Sequence, residues 1–165
     1  MPANPNIGRI INGSTHDSSS ITASINSKPY SDITEISYSD SLEPGILQGV
    51  GDPYIRARTR GQYKAECSFT IAKATFELVK AELVALGAGG FGEASFPITV
   101  VYRASVTDPV IVDIVEGCRI MKVENSHSAG NSDALVVKVD LSVVRIRWNG
   151  FYAVADPGTS ALIGL

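Results

Sequence analysis

The stretch YKAECSFTIAKATFELVKAELVALG, residues 63–87, decides the fold. Its first ten residues alternate. Tyr63, Ala65, Cys67, Phe69 and Ile71 fall on one side, and Lys64, Glu66, Ser68 and Thr70 on the other. Successive strand side chains point to opposite faces, so this pattern predicts a strand with one face packed and one face wet. The period then changes. Phe76, Val79, Leu83 and Leu86 follow the three-four spacing of one helix face, with Glu77, Lys80 and Glu82 outside it, which predicts a helix over residues 73–86. Gly87 is the expected terminator, and Gly89-Gly90 opposes continuation. Phe69 and Ile71 of the strand are expected to pack against Phe76, Val79 and Leu83 as the core.

Downstream of the helix, everything reads as strands: residues 96–105, then 110–116 leading through Gly117 into 118–124, then a polar turn NSHSAGNSD at 125–133. The segment 134–148 is too long to be regular. Leu135, Val137, Val139 and Leu141 share a face, whereas Val144, Ile146 and Trp148 are in the opposite phase, which predicts a bulge or bend near Ser142. Upstream, residues 20–27 alternate and 32–38 form a second short strand, together read as a hairpin turning at Ser27–Tyr30. Between 40 and 62 lie four glycines and two prolines, which predict a long loop. That loop is not simply polar: Leu42, Ile46, Leu47, Val50, Tyr54 and Ile55 are spread through it. Such residues either fold back on the domain or pack on a neighbour, and the second is favoured. The expected fold is mainly β, a closed or nearly closed barrel or sandwich with one flanking helix and the long loop. It occupies 1–165 as one domain, with an irregular N-terminal arm at 1–19 and an apolar C-terminal tail at 151–165.

The chain's 165 residues suit a single core. Its charged fraction of 19% is a little low, compatible with wide subunit contacts. A net charge of -3 gives no general attraction for nucleic acid. No run is apolar for the roughly 18 residues of a membrane span. The first residues lack the basic start and apolar core of a signal peptide, so the protein is expected to be made and remain soluble in the cytosol.

Catalytic constellations are not found. His16 lies in the N-terminal arm and His127 in a polar turn, and no G-x-S-x-G elbow accompanies the nearby serines. The glycines at 87–92 follow a helix, whereas a phosphate-cradling loop precedes one. Asp113 and Glu116 fall on opposite faces of one strand, and with Asp108 they make no carboxylate pair. Cys67 and Cys118 lack metal-site spacing; packed thiols are the plain reading and a disulfide the sharper one. The basic run RARTRGQYK, with Arg56, Arg58, Arg60 and Lys64, reads as a solvated or ion-paired hairpin edge, as a contact to acidic residues such as Asp40 or Glu43 of another copy, or, least favoured, as a direct nucleic-acid contact. No enzyme activity, cofactor or metal is expected.

The order of elements, carried by SYSDSLEPGILQGVGDPYIRARTRGQYKAECSFTIAKATFELVKAELVALG and by GCRIMKVENSHSAGNSDALVVKVDLSVVRIRWNG, resembles the tail tube proteins of bacteriophages and the tube proteins of contractile injection and type VI secretion systems. The resemblance implies six-membered rings stacked into a hollow tube, with strands lining the channel and the helix outside. Lys64, Glu66, Ser68 and Thr70 would then face the lumen. Leu42, Ile46, Leu47, Val50, Tyr54, Ile55, Arg56, Arg58 and Arg60 would contact other subunits. Implied partners are further copies of the chain, a tape-measure protein and DNA in the lumen, baseplate and tail terminator proteins, and a sheath in a contractile tail; no membrane is involved. The implied place is a virion tail assembled in the host cytoplasm. The alternatives are a tube of a bacterial contractile secretion system and a monomeric β-barrel that binds a ligand.

Overall fold

The computed structural model describes residues 20–103, 109–130 and 132–154, excepting the side chains of 87 and 88. The N-terminal arm, His16, Asp108 and the tail beyond residue 154 lie outside them. In chain order the strands are β1 (Ile21–Ile25), β2 (Lys28–Pro29), β3 (Ile33–Glu43), β4 (Ile46–Gln48), β5 (Ile55–Arg58) and β6 (Gln62–Ala72). Helix α1 (Lys73–Leu83) follows, continued by a π-helical turn at Val84–Ala88. Then come β7 (Phe96–Tyr102), β8 (Ile111–Asn125), β9 (Val136–Ser142), β10 (Arg145–Trp148) and β11 (Phe151–Tyr152).

One antiparallel sheet runs β2-β1-β7-β8-β9-β6-β3, and β10 pairs with both β8 and β11. It ends at β2 on one side and β3 on the other, so the sheet is open and the expected closed or nearly closed barrel or sandwich is wrong. The misleading signal was the phase switch near Ser142. The bend is real, but two neighbouring strands share it. Residues 119–125 of β8 pair with β9, and residues 113–116 pair with β10. At the junction Gly117 has φ +69°, and a Cβ there would meet Val144 Cγ2 at 2.5 Å. The Val144 amide donates to the Glu116 carbonyl at 3.1 Å. A bend shared in this way reshapes the sheet locally and leaves its two edges apart.

The expected hairpin of β1 with the strand at 32–38 is also corrected. β1 pairs with β7 and β2, whereas β3 pairs with β6. Alternation specifies which face is buried and says little about which strand lies alongside. The expected loop at 40–62 is largely ribbon. β3 runs to Glu43 and β6 starts at Gln62 directly opposite it, and β4–β5 continue as a separate two-stranded sheet.

The core forms as α1 covers the apolar side of β6 and its neighbours. Phe69, Phe76, Val79 and Leu83 are each 1% exposed and Ile71 is fully buried. They join Phe96, Ile98, Val115, Val137, Val139 and Ile146 in one cluster. Leu86, expected on the buried face, is 52% exposed. The wider π turn rotates it off the stripe, and the left-handed residue that ends the helix is Gly89, φ +76°, not Gly87. Leu135 and Val144 are likewise exposed, because each sits outside the regular part of β9 and β10.

Candidate assembly surfaces

Lys64, Glu66, Ser68 and Thr70 do not stand alone. The registers put Ser41, Ser39, Ser37 and Glu35 of β3 directly opposite them. On the other side Glu66, Ser68 and Thr70 face Ser142, Asp140 and Lys138 of β9. Beyond β9 come Arg119, Lys122 and Glu124 of β8. The result is a four-strand polar face. Its ionisable groups are Glu35, Glu66, Glu124 and Asp140 against Lys64, Arg119, Lys122 and Lys138, so its formal charge balances. Ion pairs along single strands, Lys64 with Glu66 and Lys122 with Glu124, tie part of that charge down locally. The face holds a shallow concavity of about 690 Å³ with Met121 and Val144 on its lining. The Ser-rich alternation SYSDS on β3 was the sequence signal that could have found the second strand of this face.

The second surface is the β4–β5 arm. Ile46, Leu47, Val50 and Tyr54 are more than 60% exposed, and Leu42 and Ile55 more than 40%. None of them joins the core cluster. The tip is organised by Asp52. Its carboxylate accepts from the Tyr54 amide and from Arg56 Nε, both at 3.0 Å, and its carbonyl accepts from Gln48 Nε2 at 3.0 Å. The Tyr54 amide first, and Arg56 second, hold this carboxyl below the usual range. Arg58 and Arg60 are exposed along the arm's base.

A narrow neck joins the arm to the sheet. Thr59 N donates to the Gly45 carbonyl and Gly45 N donates to Thr59 Oγ1, both at 2.8 Å. Gly61 has φ +85°, and a Cβ there would lie 2.6 Å from the Glu43 carbonyl oxygen. Both the left-handed backbone and the contact exclude a side chain. Gly61→Ala is expected to reorient the arm while leaving the core intact. Circular dichroism should stay unchanged, whereas limited proteolysis should cut faster between residues 44 and 61.

Polar groups inside the molecule are used structurally. Asp113 is only 6% exposed; it accepts from Tyr38 Oη at 2.6 Å and from the Asn149 amide at 3.0 Å, and Tyr38 also bonds to Tyr102. Burial, and then the Asp113 bond, push the Tyr38 phenol well above its ordinary value. Asp40, considered above as a partner for another copy's arginines, is occupied within the chain: it accepts from Tyr63 Oη and Trp148 Nε1, both at 3.0 Å. Burial pushes the Cys67 and Cys118 thiols up to about 12, and both are free. His127 is exposed on its turn. Among the described residues no group of three or more His, Cys, Asp or Glu is placed to hold a metal ion, and no helix is long and apolar enough to cross a membrane.

Glu116 sits where β10, β11 and β8 meet, bonded by Arg145, by Arg147 at 3.1 Å and by Tyr152 Oη at 3.0 Å. Partial burial pushes its carboxyl up, but the bonds from Arg145 and Tyr152 and the two positive charges outweigh this and hold it low. A carboxyl depressed on folding contributes stability above its unfolded pKa of about 4.3, and that stability is lost as pH falls through the folded value. Acid titration is expected to release β11 first, and Glu116→Gln to flatten that acid limb in a thermal-melt series against pH.

No protein-family model and no curated protein matches the sequence. Solved structures do match the fold. The tube-terminating cap of the anti-feeding prophage superposes with a TM-score of 0.62 at 12% identity, over 87% of this chain and 96% of that one. The sheath/tube terminator of the extracellular contractile injection system PVC, in its extended state, gives 0.61 at 12% identity, over 82% and 97%. The SPP1 tail tube gives 0.59 at 10% identity, over 92% and 87%. The chain therefore has the fold shared by phage tail tubes and the tube components of contractile injection systems.

Proposed function

We propose that this chain is a non-catalytic tube subunit of a contractile injection assembly. Copies join into rings, six-membered by the family resemblance, and the rings stack around a hollow channel. The observation that carries this reading is the charge-balanced polar face on β3, β6, β9 and β8, set opposite a single helix-covered core. On this reading Lys64, Glu66, Ser68 and Thr70 face the lumen. The arm residues from Leu42 to Arg60 meet other subunits, and α1 faces outward. Such an assembly would end in a terminator, start from a baseplate and carry a sheath. It would be built in a cytoplasm and act outside the cell. An open sheet leaves two unpaired edges, and lateral contacts between copies would cover them.

The likeness to the SPP1 tail tube, which spans the largest share of this chain among the three structures above, supports a second reading. Here the tube belongs to a phage virion, holds a tape-measure protein and passes DNA. A polar face without net charge neither traps nor repels a polyanion strongly, so it suits either cargo.

Size-exclusion chromatography with electron microscopy of the purified chain tests assembly. Rings or tubes are expected, and a strict monomer at high concentration would overturn the tube reading. Ser68→Cys tests the lumen. A small maleimide should react in both subunits and tubes, whereas a polymer-linked maleimide should react with subunits and be excluded from tubes. Equal reaction with the large reagent in both states removes the lumen assignment.

A further inference from the structure

Between the two ends of the open sheet lies a slot. It measures about 710 Å³ and is lined by both terminal regions, with Ile21 and Ala23 from β1, Pro29 of β2 and Tyr30 after it, and Ile33 and Ile36 from β3. Among the described residues β2 pairs with Ser24 and Ile25, and the Tyr30 amide donates to the Ala23 carbonyl at 3.1 Å, so that edge of β1 is left without a partner strand only towards Ile21. Among the described residues β3 is paired on one side alone, to β6. The β3 edge and the start of β1 thus border a cavity whose lining mixes Ile21, Ile33 and Ile36 with Thr22, Thr34 and Glu35, the geometry in which an added strand gains main-chain hydrogen bonds and pockets for alternate side chains.

We propose that this slot is a strand-receiving site and that its occupant is the β4–β5 arm of a second copy of the chain. This rests on the tube reading and deepens it by naming the surface that the arm enters. The arm is chemically suited. Among the described residues its strands pair only with each other, which leaves both outer edges without a partner strand there, and it exposes Ile46, Leu47, Tyr54 and Ile55. Charge is complementary. The arm and its neck, residues 44–61, carry three arginines against one aspartate. Around the slot stand Asp32, Glu35 and Glu82 against Lys28, with Lys28 and Tyr30 both bonded to Glu82.

Geometry requires the second copy. The arm leaves the far end of β3, continuing the register from Glu43 opposite Gln62 to Ile46 opposite Arg58. The seven residues from Ile36 back to Glu43 span roughly 23 Å at about 3.3 Å per residue. Residues 44–51 reach at most about 25 Å from the neck. Folded straight back, the tip would only come level with Ile36 and could not lie along Ile33–Ile36 of its own chain. Arm and slot are therefore two halves of a head-to-tail contact, the kind that closes into a ring or propagates as a filament.

The test is a disulfide between copies, using Leu47→Cys on the arm and Ile21→Cys on the slot. The native thiols are buried and do not compete. Oxidation of the double variant should give a ladder of linked multimers. The two single variants mixed should give only linked dimers, and pairing Leu47→Cys with Leu78→Cys on the outer helix face should give no such ladder. Electron microscopy of the same samples separates the two ideas. Rings without the linkage overturn the slot and leave the tube standing, linkage without rings does the reverse, and the absence of both removes both. If the chain's own residues 1–19 fill the slot, the linkage is missing in the full chain and appears when they are removed, and that result also overturns the proposal.

Discussion

Phe69→Ala is expected to destabilise the chain by roughly 3–5 kcal/mol, the usual range for truncating a buried phenylalanine. The residue is 1% exposed at the middle of β6, with a strand paired on either side. Beneath it lies the helix face of Phe76, Val79 and Leu83, so the cavity left behind has no mobile neighbour to fill it. Domains of this size are stable by about 5–15 kcal/mol, so one substitution removes a large share of the total. Chemical denaturation should show the midpoint shifting with little change in slope. Ser68→Ala, one residue away on the polar face, is the control. It should move the midpoint by no more than about 0.5 kcal/mol, as surface changes do. A large effect at Ser68, or a small one at Phe69, would mean that the faces of β6 are assigned the wrong way round.

The second large effect is on assembly rather than on folding. Leu47 is 63% exposed and contributes nothing to the core. Leu47→Asp should leave the melting temperature of the isolated subunit essentially unchanged. In the assembled state it would place a carboxylate in an apolar contact without a partner, at a cost of several kcal/mol. Since 1.4 kcal/mol is tenfold in an equilibrium, the concentration at which rings form should rise by about 100-fold or more. Sedimentation velocity across a dilution series reads this directly. Rings at unchanged concentration would show that the arm is a bystander.

Much of the architecture was legible because its signals are local. The alternation from Tyr63 to Ile71 and the helical spacing from Phe76 to Leu83 each report a periodic environment, and both correspond to the buried faces observed. The bend near Ser142 was legible for the same reason. Pairing was not. Nothing in Ile21–Ile25 states that its neighbour is Phe96–Tyr102, because a half-buried strand offers similar apolar teeth to any partner in register. Closure was misread because a bend shared by β8 and the β9–β10 junction leaves the same mark on the sequence as one that turns a sheet back on itself. The arm was misread as a loop because its glycines and prolines sit at the neck and tip, leaving strands of only three and four residues between them. On the polar face one strand was found and its neighbours were missed, since the balance of charge emerges only when four registers are laid side by side.

The pairing of β1 with β7 also sets an order in time. The β4–β5 arm is closed by residues close together in the chain, and hairpins of that kind form in about 1–10 μs. Ile21 must wait for Tyr102, its partner across the ladder, and distant pairings are slow. A chain leaving the ribosome therefore owns an arm well before both borders of its slot exist. Under the proposed arm–slot contact, a half-made copy could donate to a finished one before it could receive, and growth would acquire a direction from synthesis itself.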